Sequence, residues 1–116
     1  MTGVKDCLFC KIAAGELPAT VVHESESTLA FRDIDPKAPV HVLIIPKTHY
    51  ADIGVLGAAD PALAGEVLAA AAAVAAKEGV QDNFRLVFNT GAGMGQTVFH
   101  VHAHVLGGGA TGFGAV

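Results

Sequence analysis

The 116-residue sequence is short of cysteine, with two, and of charge, with 7 Lys and Arg against 11 Asp and Glu. Two cysteines three positions apart, Cys7 and Cys10, make no disulfide framework. A formal net charge of −4 excludes a broad basic surface for a polyanion such as DNA. It leaves room for a small anionic substrate, because a local site can be positive on an acidic protein. The start, "MTGVKDCLFCK", lacks an apolar signal core followed by a cleavage site. The alanine-rich apolar run "LAAAAAVAA" at residues 68–76 falls far short of the ~20 residues a spanning helix needs. A cytoplasmic protein with neither nucleic acid nor membrane as partner is therefore expected. No carboxylate cluster stands ready to hold a divalent ion, so no catalytic metal is required. Repeats and low-complexity linkers are absent as well, and residues 1–116 read as a single domain.

What is present alternates strand and helix signals. "CLFCKIAAG" (residues 7–15) reads as a short helix stopped by Gly15, with Pro18 beyond. "TVVHE" and "TLAFRDI" read as strands joined through Ser25–Ser27, and "VHVLIIP" as a strong strand ended by Pro46. Asp60 followed by Pro61 is a helix start, and the helix should run to about Glu78 with Gly79 as its stop. Its expected buried stripe is Leu63, Val67, Leu68 and Val74. "NFRLVFN" predicts a further strand, and glycine-rich "TGAGMGQ" links it to the last one. Together these make an α+β domain with an antiparallel sheet of about five strands, a short N-terminal helix and one long central helix.

That last strand, predicted over residues 98–106, holds the main chemical signal. In "GMGQTVFHVHAHVLGGG", His100, His102 and His104 alternate with apolar residues. Strand side chains point to opposite faces in turn, so the three imidazoles share one face and Val101, Ala103 and Val105 the other. One histidine on a strand is ordinarily exposed or satisfied. Three side by side are unfavourable without a use, since like groups in register repel when charged. Metal ligation and phosphate chemistry both fit. The upstream loop favours phosphate, because it offers backbone N–H groups and a hydroxyl donor.

The segment resembles the signature of the histidine triad (HIT) family of nucleotide hydrolases and transferases. "CLFCKIAAGELPA", "LAFRDIDPKAPVHVLIIPKTH", "LVFNTGAGMGQTVFHVHAHVLGG" and the closing "GFGAV" all fall in family order, and the Ala-rich helix matches least. The resemblance implies a HIT-like fold and a homodimer. It makes His102 the nucleophile that carries the nucleotidyl group, with His104 bonding phosphate oxygens and His41 supporting the triad. Asn89, Gly95 and Thr97 would line the phosphate site, and Gln96 would sit beside the leaving group. Asp33 would accept from the ribose hydroxyls, and Leu8, Phe9, Ile12, Phe31 and Ile34 would wall a purine base. Arg32 departs from the pattern and reaches a base, a leaving group or solvent. His23 reads as simply exposed.

A lone C-x-x-C has three readings: redox dithiol, half a metal site, or packed thiols. Redox use normally belongs at the start of a helix after a βα unit, which the N-terminal segment lacks. With His49 and His100, Cys7 and Cys10 complete a Cys₂His₂ set, which bacterial-type members of the family resemble, and the expected ion is a structural zinc. The implied substrates are purine nucleoside 5'-phosphoramidates or similar adenylylated small molecules. A dinucleoside polyphosphate hydrolase, towards which "GQTV" leans, and a non-catalytic nucleotide- or metal-binding regulator are the rivals. "VLGG" after the triad leans towards the phosphoramidase branch.

Overall fold

Asp60 and Pro61 start the longest helix as their chemistry dictates. The Asp60 carboxylate accepts from the Leu63 amide at 3.1 Å, and Pro61 sits where a missing N–H leaves no bond unmade. The computed structural model describes residues 6–109. Their elements are α1 (Leu8–Ala13), β1 (Val21–Glu24), β2 (Thr28–Arg32), β3 (Val40–Pro46), α2 (Ile53–Ala59), α3 (Pro61–Lys77), β4 (Phe84–Phe88) and β5 (Ala103–Gly107). A single 3-10 turn, Ala92–Met94, lies in the glycine-rich loop. The closing "GFGAV" lies outside the described residues.

The five strands form one antiparallel sheet in the order β1-β2-β3-β5-β4. The last strand in sequence thus enters between β3 and β4, which puts His104 on an interior strand and leaves β4 as an edge. Alternation then divides the side chains. Val42 and Ile44 of β3 and Ala103 and Val105 of β5 join Leu63, Val67, Ala70, Ala71, Val74 and Ala75 of α3 in one core. Leu43 and Ile45 face the opposite side, with Phe9 of α1, Leu29 and Phe31. Alanine suits α3 twice over. It has the best helix propensity, and its small side chain lets the helix lie close on the sheet.

Four expectations change. The ladder of the last strand begins only at Ala103, so His100 and His102 precede it; the Val101 amide instead donates to the Tyr50 carbonyl at 2.7 Å. Leu68 is 49% exposed, and the stripe is completed by Ala70, Ala71 and Ala75. Helix α2 was not anticipated, because Gly54 and Gly57 mask its pattern; Asp52 caps it by accepting from the Val55 amide at 2.9 Å. His23, expected to be exposed, is half-buried.

Candidate functional site

With α3 on one face of the sheet, α1 leans over the other and leaves a cavity of about 720 Å³. Its wall contains Leu8, Phe9, Ile12, Phe31 and Leu43, and its polar end has Asp33, Thr97, His102 and His104. Every apolar residue singled out from the sequence lines it, although Ile34, at 101% exposure, stands on the rim. Leu43, Val98 and the stretch Pro18, Ala19 and Thr20 were not anticipated. Leu43 was legible: it lies two residues from His41 on β3 and must share its face.

Hydrogen bonds to backbone groups settle which imidazole nitrogen carries each proton. The His100 carbonyl can only accept, so His102 Nδ1, 2.9 Å away, donates, and the lone pair of His102 resides on Nε2. The Lys37 amide donates to His41 Nδ1 at 2.9 Å, which makes His41 a neutral ring with its proton on Nε2. That proton goes to His104 Nδ1 at 2.9 Å, with Asp33 Oδ2 at 3.5 Å as a weaker neighbour. His104 therefore presents Nε2–H, which is buried and has no partner. A lone pair and an unused donor thus stand on neighbouring rings, their centroids 5.0 Å apart. This is what a phosphoryl group needs: a nucleophile beside a hydrogen-bond donor.

Burial keeps these rings neutral. It depresses His104 to about 4, assisted by His102 and His41 and opposed by Asp33. Burial also lowers His102, against the raising effect of its bond to the His100 carbonyl, and lowers His41 despite Asp33. A neutral imidazole is the form that attacks.

Cys7, Cys10, His49 and His100 meet on the far side of Phe9. Their ligand atoms all lie within 4.8 Å of one another. His100 donates Nε2–H to the Pro46 carbonyl at 2.8 Å, which turns an unprotonated Nδ1 towards both sulfurs, each 3.4 Å away. His49 Nδ1 lies 3.3 Å from Cys10 Sγ and 3.2 Å from His100 Nδ1. Burial pushes His100 down to about 4, which preserves its lone pair. Two thiols and two imidazoles converging on one point, one ring oriented by a carbonyl, are a tetrahedral donor set. Asp33, His41 and His104 also lie within ligand distance, but hydrogen bonds already occupy both ring nitrogens of His41.

Residues 14–111 match the HIT domain family model. The chain belongs to the HIT family. A HIT family hydrolase from Legionella pneumophila is 50% identical, with a TM-score of 0.88 over 93% of this chain and 97% of that one. The 14 kDa zinc-binding protein of Zea mays is 46% identical over 87% of this chain and 80% of its own length. A histidine triad nucleotide-binding protein from Candida albicans is 29% identical, with a TM-score of 0.79 over 96% of this chain and 87% of that one.

In this HIT chain the glycine-rich loop is organised from within. Gln96 is buried and its amide is fully engaged: Oε1 accepts from the Gly91 amide at 2.9 Å, and Nε2 donates to the Ala51 and Val98 carbonyls. Gly95 takes φ +98°, a left-handed turn that a side chain would strain. Asn89, Gly95 and Gln96 all stand outside the residues lining the cavity, whereas Thr97 lines it. Arg32 also lines the cavity. Its side chain donates to Glu78 at 2.7 Å and ties β2 to the end of α3.

Proposed function

We propose that the chain is a HIT-type hydrolase that forms a nucleotidyl-histidine on His102, cleaving purine nucleoside 5'-phosphoramidates or related adenylylated small molecules. The observation that carries this reading is the tautomer of His102, held by the His100 carbonyl with its lone pair on Nε2. The base lies among Leu8, Phe9, Ile12, Phe31 and Ile34, and Asp33 accepts from the ribose hydroxyls. His102 Nε2 attacks the α-phosphorus in line; as the P–N bond to the ring forms, the bond to the leaving nitrogen breaks and the amine departs with a proton taken from solvent. His104 Nε2–H bonds a phosphoryl oxygen, as its unpartnered donor allows, and His41 holds His104 in that tautomer. Thr97 donates to an oxygen at the same end of the cavity. Asn89 and Gly95 belong with Thr97 to the phosphate site and Gln96 to the leaving-group side, Gly95 and Gln96 also fixing the shape of the loop. Water then displaces the nucleotide from His102.

The Cys₂His₂ set suits zinc, which would be structural: it joins α1 to the segment carrying His102 and does not touch phosphorus. The name of the Zea mays relative supports this choice of ion. Homodimer formation is supported by β4, an edge strand on which Phe84 and Leu86 are 37% and 36% exposed.

A substrate panel tests the reading. Turnover of an adenosine phosphoramidate, far above that of diadenosine polyphosphates, is the expected result. The reverse preference moves the chain to the polyphosphate branch, and binding with turnover of neither makes it a regulator.

A further inference from the structure

We propose that Cys7 and Cys10 are a peroxide-reactive thiol pair, whose oxidation to a disulfide expels the bound metal and loosens the nucleotide cavity through Phe9. The sequence spoke against redox use because no βα unit precedes the pair. Yet the structure places it at a helix start: Cys7 is the N-cap of α1, and its sulfur accepts from the Cys10 amide at 3.2 Å. Neither cysteine is in a disulfide, and their sulfurs lie within 4.8 Å of each other. A disulfide requires the two sulfurs to close to ~2 Å.

Access distinguishes the two sulfurs. A groove of about 520 Å³ reaches the cluster from outside, and its lining includes Asp6, Cys7, His49 and Phe99 but not Cys10. Cys7 is therefore attacked first and Cys10 resolves. The exposed Asp6 carboxylate in that groove favours a neutral oxidant over an anionic one, so the co-reactant class is a hydroperoxide. Cys7 thiolate displaces hydroxide or alkoxide from the peroxide and becomes a sulfenic acid. Cys10 thiolate then attacks that sulfur and expels hydroxide as the S–S bond forms. Two electrons from the sulfurs reduce one O–O bond, and two protons from solvent complete water or water plus alcohol. A dithiol reductant reverses the step.

The effect reaches the nucleotide site through Phe9, which stands between the two cysteines in sequence. Its ring is edge-on to His102 and Phe31, with centroids 5.0 and 5.5 Å away. The cluster loses two of four ligands on oxidation, and with them the tie between α1 and His100. The effect on binding rests on the nucleotide reading of the cavity, whereas the thiol chemistry needs no substrate.

The test takes the full chain loaded with one equivalent of zinc and exposes it to hydrogen peroxide. Zinc is followed with a chromophoric chelator, thiols by alkylation and peptide mapping, and adenosine monophosphate binding by calorimetry. Expected are zinc release in step with loss of both thiols, a Cys7–Cys10 disulfide reversed by dithiothreitol, and about tenfold weaker nucleotide binding. In Cys10→Ser, dimedone should trap a sulfenic acid on Cys7; Cys7→Ser should leave Cys10 unlabelled. The thiol readout is repeated on metal-free wild type, so it stands without zinc uptake or well-folded variants. Thiols that remain alkylatable while a cysteine peptide in the same tube oxidises would overturn the proposal. So would sulfinic acid without a disulfide, or unchanged nucleotide affinity once the disulfide has formed. A chain that hydrolyses nothing could still pass every one of these readouts.

Discussion

The carbonyl oxygen of His100 lies 2.9 Å from His102 Nδ1, while the His100 ring turns Nδ1 towards Cys7 and Cys10. One residue thus serves two sites, its side chain in the Cys/His cluster and its backbone on the neighbouring imidazole. Whatever holds the His100 ring also holds the tautomer of His102.

His102→Ala should therefore abolish turnover while leaving nucleotide binding largely intact, since the apolar wall and Asp33 are untouched. Mass spectrometry of the quenched wild type should find a nucleotidyl adduct on His102 alone. Residual activity within about tenfold of wild type, worth ~1.4 kcal/mol of barrier, would refute the nucleophile.

Acid should destabilise the fold in a defined window. His104 is held down to about 4 by burial, against a value near 6.5 for an unfolded imidazole. Below that unfolded value the open chain binds a proton that the folded one refuses. Stability is therefore complete above pH ~6.5 and is lost as pH falls towards ~4, on the order of 3 kcal/mol for a shift of this size. Denaturant midpoints across this range should fall with acid, and less steeply in His104→Asn. A flat wild-type profile would contradict the assignment.

Chelation should lower the melting temperature, because zinc binds the folded cluster in preference to the open chain. Activity should fall only indirectly. Elemental analysis of untagged protein purified without added metal should find close to one zinc per chain. Less than ~0.2 per chain, with unchanged melting in Cys7→Ser, Cys10→Ser, would rule the ion out.

Light scattering should report twice the chain mass of 11.8 kDa. Leu86→Lys, on exposed edge strand β4, should shift the particle towards the single-chain mass. A wild type already at single-chain mass at micromolar concentration would exclude the dimer.

The alanine face of α3 should resist enlargement. Ala71 is 1% exposed beneath the sheet, so Ala71→Leu is expected to cost ~1–3 kcal/mol by forcing helix and sheet apart. Urea melts measure this, and an unchanged midpoint would show slack that the packing does not suggest.

Much of this was local and hence readable in the chain. Asp60–Pro61, Gly79, the "VHVLIIP" strand and the alternation of Val101, Ala103 and Val105 against the histidines depend on neighbours a few residues away. Short-range sterics and hydrogen bonding decide such features. The apolar cavity residues were named through the resemblance to the HIT family, and the Cys₂His₂ donors because their residue types limit what they can do. Other outcomes depended on long-range pairing. Only the insertion of β5 beside β3 brings His41 to His104, across 63 positions of sequence. The same packing ends the ladder at Ala103, turns Arg32 onto Glu78 and ties Gln96 to the distant Ala51 carbonyl. Protonation was likewise beyond the sequence: a histidine's spacing does not reveal whether its ring meets a carbonyl or an amide. The carbonyl of His100 and the amide of Lys37 made that choice, and burial kept the rings neutral.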